Sequence, residues 1–263
     1  MLLGLEKKVA LISGASRGLG RAVAEELAME GCVLVVASRD ADAIGEASSQ
    51  IMARTGNKTV PVAADVSSLE GIKQMLSVAQ REFGRVDILV TNAGGPPAGN
   101  LETQGPELWQ QFMNQTLRSV VELSRGVVPG MRRRGWGRIL NITSIAVKQP
   151  VDNLGLSNSL RAAVTGFART LANEVAKDGI TVNNLMPGYT RTDRLEELAT
   201  TLANNQDKRP EDVYASWCSQ IPMGRIGEPK EFAALAAFLA SERASYITGT
   251  SIPVDGGWIR SLL

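Results

Sequence analysis

The chain alternates between short apolar segments and longer amphipathic ones. Seven short, mostly apolar runs lie at residues 9–12, 33–36, 60–62, 88–90, 139–142, 180–182 and 252–254. Runs of this kind, which lack a strict apolar-polar alternation, are typical of strands buried on both faces. Between them, apolar residues recur at helical spacing, as Phe167, Leu171 and Val175 do. The pattern predicts a single α/β domain over residues 1–263, with a doubly wound parallel sheet of about seven strands and helices on both faces.

The segment 192–222 departs from this alternation. Its middle is polar and rich in asparagine, and it contains no strand-like run. We predict an irregular, mobile lid within the domain there.

The absence of histidine restricts the chemistry. Without it, Ser-His-Asp and Cys-His relays and histidine-ligated zinc are excluded. The two cysteines, Cys32 and Cys218, show no CxxC spacing, so neither a thiolate metal site nor a disulfide is predicted, and we expect no bound metal. This cysteine usage fits a reducing cytoplasm.

Charge and hydropathy argue against two further classes of partner, nucleic acids and membranes. The formal net charge is +1, from 28 basic and 27 acidic residues, which gives no reason to expect nucleic acid or an anionic membrane. We interpret the basic cluster 132–134 as a solvated helix end. The amino terminus does not read as a signal peptide, and the longest apolar helical run, 232–240, is too short to cross a bilayer. We therefore expect a cytoplasmic protein.

A glycine-rich turn follows the first predicted strand and precedes a predicted helix. Its spacing is Gly-x3-Gly-x-Gly, which differs from the common GxGxxG. Such a turn lets the backbone approach a pyrophosphate, whose charge the helix N-terminus stabilises, although a glycine-rich turn alone also occurs without a ligand. The position predicts a Rossmann-type dinucleotide site. The predicted contacts in this turn are Gly14, Ser16, Arg17, Gly18, Leu19 and Gly20.

The end of the second predicted strand indicates which dinucleotide binds. An acidic residue there would accept a hydrogen bond from the ribose 2′-hydroxyl of NAD, whereas a basic residue would pair with the 2′-phosphate of NADP. Ser38 takes that place and Arg39 follows it, with Arg17 available from the glycine turn. Two guanidinium groups favour a phosphate, so NADP(H) is the preferred cofactor and NAD(H) the alternative. The alternative interpretation of both arginines is that they face solvent.

Further motifs follow the later strands. They are Asp65-Val66, Asn92-Ala93-Gly94, Ser144, Pro187-Gly188 with Thr192, Gly224-Arg225-x-Gly227-Glu228-Pro229 and Val254-Asp255-Gly256-Gly257. With the glycine turn, this set resembles the short-chain dehydrogenase/reductase family, of the type that includes 3-oxoacyl-(acyl carrier protein) reductases, over nearly the whole chain. The resemblance implies an oxidoreductase that acts on a carbonyl or alcohol. It also implies cofactor contacts from Asp65, Val66, Asn92, Ala93, Gly94, Pro187, Gly188, Thr190 and Thr192.

The catalytic positions of that family are altered in this chain. Most members carry a Tyr-x3-Lys pair, a serine about thirteen residues earlier and an asparagine on the preceding helix. Counting from Ser144 leads to Ser157 and Arg161, and the sequence 162–166 that follows supports this register. Thr116 stands where the resemblance implies the asparagine. Only Ser144 is retained.

These replacements change the expected proton chemistry. Hydride reduction of a ketone generates an alkoxide that needs a proton, and an aliphatic hydroxyl such as that of Ser157 is a poor acid. Arg161 can bind ribose hydroxyls and hold positive charge, but its guanidinium does not usefully deprotonate. A water relay or the phenol of Tyr189 are the remaining proton sources, although Tyr189 also suits a packing role. The candidate catalytic residues are Ser144, Ser157, Arg161, Thr116 and Tyr189.

Three functions remain open. The first is an NADP(H)-dependent oxidoreductase of a small-molecule substrate with an atypical proton path. The second is a dinucleotide-binding sensor or partner subunit without catalysis, and the third is a lyase-like relative using Ser144 and Arg161. Apolar residues at 186, 195, 198 and 217 suit the inner face of a lid over a substrate larger than a simple ketone. The resemblance and the small residues Ala162, Ala163, Gly166 and Ala168 predict a homodimer or homotetramer.

Overall fold

The protein folds into a doubly wound α/β domain. The structure is a computed structural model that describes residues 2–262. Within these residues seven parallel strands form one sheet in the order β3-β2-β1-β4-β5-β6-β7. Their bounds are β1 Val9–Ser13, β2 Val33–Ser38, β3 Thr59–Ala63, β4 Ile88–Thr91, β5 Gly137–Ile142, β6 Ile180–Pro187 and β7 Ser251–Val254. Each apolar run of the sequence lies in one of these strands, which confirms the predicted fold class.

Helices cover both faces of the sheet. They are α1 Gly18–Met29, α2 Ala41–Thr55, α3 Leu69–Phe83, α4 Pro106–Met113, α5 Ser119–Arg134, α6 Gly155–Val175, α7 Asp193–Gln206, α8 Pro210–Gln220 and α9 Pro229–Ala240. Ile12 of β1 belongs to an apolar cluster that includes residues of α1, α2 and α9, whereas its neighbour Leu11 belongs to a second cluster with residues of α3, α5 and α6. Successive strand residues point to opposite faces, so a strand covered on both sides is apolar throughout.

The strand order reverses beside β1, which pairs with β2 on one side and with β4 on the other. The helices that follow β1 and β4 therefore leave in opposite directions. The crevice between them, at the carboxyl ends of the strands, is where folds of this type bind ligands.

The segment 192–222 is largely helical, so the prediction of irregular structure there was wrong, while its role as a lid stays a prediction. It forms α7 and α8, joined by a short connection. Leu195, Ala199 and Ala203 are buried at four-residue spacing along α7, and the hydroxyl of Thr192 accepts a hydrogen bond from the Leu195 N–H at 3.4 Å. The asparagines lie on the exposed side of the helix, where they obscured its periodicity in the sequence.

Two smaller expectations were tested by the fold. Residues 132–134 form the exposed last turn of α5, as predicted. Cys32 and Cys218 are both free thiols. Across residues 2–262, no helix is both long enough and apolar enough to cross a membrane.

Candidate active site

The glycine turn joins β1 to α1 in a conformation that needs its glycines. Gly14 and Gly18 have φ values of +59° and +60°, in the left-handed region. A Cβ on Gly20 would lie 2.2 Å from the Gly14 carbonyl oxygen, so a side chain there is excluded. Arg17 is the N-cap residue of α1, and no side chain caps the helix. The uncapped N–H groups and the bare backbone fit a pyrophosphate.

Asn92, which follows β4, ties that strand to the glycine turn. Its N–H donates to Ser13 Oγ at 2.9 Å, and Ser13 Oγ donates to the Asn92 carbonyl at 2.8 Å. The Asn92 amide also donates to the Gly14 carbonyl at 3.0 Å. Downstream, Gln115 Nε2 donates to the Gly94 carbonyl at 2.6 Å, which fixes the Asn92-Ala93-Gly94 turn against the helix after α4. The predicted turns after β1 and β4 are thus brought together.

The end of β2 carries two residues that the sequence analysis assigned to the cofactor, Ser38 and Arg39. Ser38 Oγ donates to the Asp40 carbonyl at 3.0 Å. Arg39 is exposed, and within the described part of the chain it forms no ion pair. Arg17 instead forms an exposed ion pair with Asp193, at 3.5 Å. The structure therefore leaves Arg39 beside Ser38 as the guanidinium available to a phosphate and engages Arg17 with α7.

Asp65 lies at the corner between β3 and α3. Its Oδ1 accepts a hydrogen bond from the Ser67 N–H at 2.8 Å. A Cβ on Gly71 would lie 2.2 Å from the Asp65 carbonyl oxygen, so α3 approaches this corner closely. Val66 packs against the apolar cluster that includes β2 and α3. Both residues follow a strand at the same edge of the sheet as the glycine turn.

Arg161 connects α6 to the carboxyl end of β5. Its Nε donates to Ser157 Oγ, one turn earlier on α6, at 3.3 Å. Its Nη1 donates to the carbonyls of Ile142 at 2.9 Å and Thr143 at 2.8 Å. Ser144 follows directly, and its Oγ accepts a hydrogen bond from the Ala146 N–H at 3.1 Å. Burial, followed by the charge of Arg194, lowers the pKa of Arg161 to about 10, so the group is still a cation at neutral pH.

A cavity of about 10 Å³ lies beside this arginine, which is room for one water. Thr116 and Arg161 both line it, with Thr143 and the Asn92-Ala93 turn. Thr116 Oγ1 is buried, and among residues 2–262 it has no hydrogen-bond partner. A buried hydroxyl without a partner is expensive, so the cavity suits an ordered water. The structure brings Thr116, Ser157 and Arg161 to one place.

Thr116 lies in a widened helical turn that the sequence did not indicate. Residues 114–118 form one π-helical turn between α4 and α5, in which the Ser119 N–H donates to the Asn114 carbonyl. π-turns inside helices are frequent at functional sites because they displace side chains from the regular helical positions. Here the turn buries Gln115 and Thr116 together.

The loop after β6 reaches the glycine turn from the other side. Thr192 lies against Gly18, with 3.7 Å between its methyl group and the position of a Gly18 Cβ. Thr190 Oγ1 donates to the Gly188 carbonyl at 3.3 Å. A Cβ on Gly188 would lie 2.7 Å from Asp255 Cα. The turn after β6 therefore packs directly against the Val254-Asp255-Gly256-Gly257 motif at the end of β7.

Tyr189 is part of an aromatic cluster. Its ring stacks on Trp217 with 4.9 Å between centroids, and it meets Trp258 edge-on at 5.9 Å. Burial raises the pKa of its phenol, which makes it a weaker acid. The apolar residues proposed for the inner face of the lid, Met186, Leu195, Leu198 and Trp217, pack in the same cluster.

The fold also brings in Arg194, which the sequence analysis missed. Its Nη2 donates to the Pro96 carbonyl at 2.8 Å. Its Nη2 and that of Arg161 each lie 3.9 Å from the position of a Cβ on Gly95. The two residues are 33 positions apart in the chain, and nothing in the local sequence pairs them.

Comparison with known proteins identifies the family. The family model described as enoyl-(acyl carrier protein) reductase matches residues 14–259. The chain belongs to the short-chain dehydrogenase/reductase family. This confirms the resemblance that the motifs indicated.

Several members of the family are similar to this chain over nearly their whole length. The 3-oxoacyl-[acyl-carrier-protein] reductase FabG of Vibrio cholerae is 38% identical, over 97% of this chain and 98% of its own. The short-chain reductase protein NovJ of Streptomyces niveus is 35% identical, over 96% and 94%. A crystal structure of L-sorbose reductase from Gluconobacter frateurii, complexed with NADPH and L-sorbose, superposes with a TM-score of 0.95 at 36% identity and covers 100% of both chains.

Proposed function

We propose that this short-chain dehydrogenase/reductase is an NADP(H)-dependent enzyme that interconverts a carbonyl and an alcohol on a small molecule by an atypical proton path. The observation that carries the proposal is the intact dinucleotide cradle, in which Asn92 hydrogen-bonds to the bare backbone of the glycine turn. It lies beside a cation that donates to Ser157. A chain with no nucleotide to bind would have no need of this arrangement.

The cofactor assignment rests on the residues at the end of β2. Arg39 is unpaired within residues 2–262 and adjoins Ser38, where an acidic residue would repel a 2′-phosphate. The L-sorbose reductase structure contains NADPH, and YwfH, whose structure is similar at 31% identity and a TM-score of 0.93, is an NADPH dependent reductase. NAD(H) is the alternative. Bound NADPH supplies the hydride.

The binding residues of the cradle surround one crevice. We assign the pyrophosphate to Gly14, Ser16, Arg17, Gly18, Leu19 and Gly20, and the 2′-phosphate to Ser38 and Arg39. Asp65 and Val66 flank the adenine. Asn92, Ala93 and Gly94 line the cofactor, and Arg161 binds ribose hydroxyls. The nicotinamide side is contacted by Pro187, Gly188, Thr190 and Thr192.

The proton path is the part of the proposal that departs from the family pattern. Ser157 and Arg161 stand in place of the Tyr-x3-Lys pair, and Thr116 in place of the asparagine. We assign Ser144 and Ser157 to hydrogen-bonding the substrate oxygen. Arg161 stabilises the negative charge that develops there by donating to Ser157. The proton is relayed from solvent through a water in the cavity beside Thr116, which regains from solvent the proton that it passes on, because neither an aliphatic hydroxyl nor an isolated water is acidic enough to be the net donor.

Tyr189 fits the role of proton donor less well. Its raised pKa disfavours proton release, and both neighbouring tryptophans restrict its ring. The lyase-like alternative is also disfavoured, because it would leave the glycine cradle without a ligand. The sensor or partner-subunit alternative also requires a bound dinucleotide in the cradle. It differs from the proposed enzyme only in that no substrate is turned over.

The first experiment separates these functions. Isothermal titration with NADPH, NADP, NADH and NAD is followed by absorbance assays with a panel of ketones and aldehydes. We expect NADP(H) to bind more tightly than NAD(H) and at least one carbonyl to be reduced. Binding without turnover across the panel would favour the sensor, and absence of nucleotide binding would overturn the proposal.

A pair of substitutions tests the proton path. We expect the double variant S157Y R161K to increase the turnover of generic ketones by about 10²- to 10⁴-fold, since it restores a phenol of lowered pKa. R161K alone serves as the matched control, because it changes the cation and supplies no acid. Circular dichroism checks that both variants fold. No increase in the double variant would show that Ser157 does not occupy the place of the phenol.

We also propose that α6 forms an interface between copies of the chain, in a homodimer or homotetramer. Its small residues Ala162, Ala163 and Gly166 are exposed on one side, whereas Ala168 is buried against the sheet. The exposed small residues permit close approach of a second helix. We further propose that α7 and α8 act as a lid over the substrate, held to the glycine turn by the Arg17–Asp193 ion pair.

A further inference from the structure

Two arginines from distant elements meet at the mouth of the candidate active site. Arg161 comes from α6, and Arg194 from the first turn of α7. The Nη2 atoms of both lie 3.9 Å from one point, the position of a Cβ on Gly95. Because residue 95 is a glycine, no side chain fills the volume between the two guanidinium groups.

The pair is held in place although its charges repel. Arg161 is anchored by two backbone carbonyls, and Arg194 by the Pro96 carbonyl. The charge of Arg194 contributes to the lowered pKa of Arg161, so the two cations are electrostatically coupled. A cation in the first turn of a helix is also opposed by the helix dipole. These unfavourable terms are relieved when an anion lies between the groups.

Among residues 2–262, no carboxylate lies within 4 Å of that point. In the described chain Arg161 has no carboxylate partner, and all its hydrogen bonds go to neutral groups. Arg194 has one acidic neighbour, Glu197, whose Oε2 lies 3.7 Å from Nη1 in a half-exposed pair, whereas Nη2 is the nitrogen nearest the Gly95 Cβ position. Guanidinium groups that converge on one volume are suited to bind a carboxylate through paired hydrogen bonds.

We propose that Arg161 and Arg194 together bind a carboxylate of the substrate, so that the enzyme acts on keto acids or the corresponding hydroxy acids. The inference rests on the proposed function, since it assigns a substrate class to the same site. Arg161 touches Ser157, so the bound carboxylate would lie next to the reacting carbonyl. Arg194 determines the specificity for a carboxylate substrate, because it adds the second cation to the site.

A phosphate of the cofactor is the competing source of negative charge. The pyrophosphate is assigned to the glycine turn, which α7 meets through Thr192 and Asp193, not through Arg194. Arg194 points instead to Gly95 and Pro96, on the side of Arg161. This placement favours the substrate, and the affinity for NADP⁺ tests the difference directly.

The test measures binding, which does not depend on turnover. The protein saturated with NADP⁺ is titrated with phenylglyoxylate and acetoacetate, and separately with their methyl esters. We expect the acids to bind more tightly than the esters. R194M should weaken the acids by about 10- to 100-fold, the range for hydrogen bonds to a charged group, and change the esters by less than about threefold. R194K should restore part of the affinity for the acids.

Controls separate the outcomes. Arg209 is an exposed arginine on the same lid, paired with Asp212, and R209Q should leave all four affinities unchanged. Equal affinity for acid and ester, or no binding of either acid, would overturn the inference. A loss of NADP⁺ affinity in R194M equal to the loss for the acids would assign Arg194 to the cofactor and also overturn it. If the acids bind as expected and no carbonyl is reduced, the carboxylate site stands and the proposed oxidoreductase function fails.

Discussion

At the scale of single residues, the glycines of the cradle carry the most specific requirement. Gly20 has an ordinary helical position at the start of α1, so its backbone angles would admit any residue. Its Cβ position lies 2.2 Å from the Gly14 carbonyl oxygen and 2.7 Å from the Asn92 amide nitrogen. The need for glycine therefore comes from the close approach of two turns, not from its conformation.

We expect Gly20→Ala to destabilise the protein by about 3 kcal/mol, because the clash is with backbone and cannot be relieved by a rotamer change. It should also weaken NADP(H) binding, since the cradle must open to admit the methyl group. Gly45→Ala is the matched control. Gly45 lies inside α2 with no atom within 4 Å of its Cβ position, so alanine should stabilise the helix by about 1 kcal/mol. Urea unfolding measures both; equal effects would contradict this account.

At the scale of elements, α9 illustrates how a helix start is built from charged groups. Glu231, in its first turn, accepts two hydrogen bonds from Arg225, at 2.6 and 2.8 Å. It also accepts one from the Glu228 N–H at 2.8 Å. These contacts, with Arg225 as the largest cause, lower the pKa of Glu231 to about 2. The motif 224–229 thus closes the turn before α9.

The lowered pKa predicts a pH dependence of stability. A carboxyl whose folded pKa is depressed stabilises the folded state above its ordinary pKa of 4.5 and loses that contribution as the pH falls towards 2. We expect Glu231→Gln to lower the melting temperature at pH 7, and the difference from the unaltered protein to shrink between pH 4.5 and pH 3. Glu70→Gln, in the first turn of α3, is the control, because Glu70 accepts no hydrogen bond from an arginine within residues 2–262. A difference that is constant with pH would contradict the assignment.

At the scale of the whole molecule, the exposed side of α6 is the surface that we propose as the interface between copies of the chain. Arginine at position 166 would place a long charged side chain where the helix now presents a glycine with no neighbour within 4 Å. We expect Gly166→Arg to convert the oligomer to a smaller species in light scattering. Ser49→Arg, on the exposed side of α2, should not. A monomeric parent protein, or an unchanged mass in Gly166→Arg, would refute the interface.

The sequence alone determined the sheet and the glycine turn of the proposed cofactor cradle, because both depend on local patterns. Buried strands must be apolar along their whole length, and a tight turn before a helix must be rich in glycine. The position of Ser157 and Arg161 on one helix face also followed from a four-residue spacing. The helices α7 and α8 were missed, since their polar exposed residues outnumber the few that are buried.

Only the tertiary structure decided the features that join distant segments. Thr91, Asn141, Asn184 and Ser251 form a hydrogen-bonded row across β4, β5, β6 and β7, with distances of 2.8 to 3.0 Å. The meeting of Arg161 with Arg194 and the cavity beside Thr116 likewise depend on how α6, α7 and the π-turn pack. Local sequence specifies backbone conformation and burial pattern, whereas a site made of charges depends on distances across the fold, which no spacing along the chain encodes.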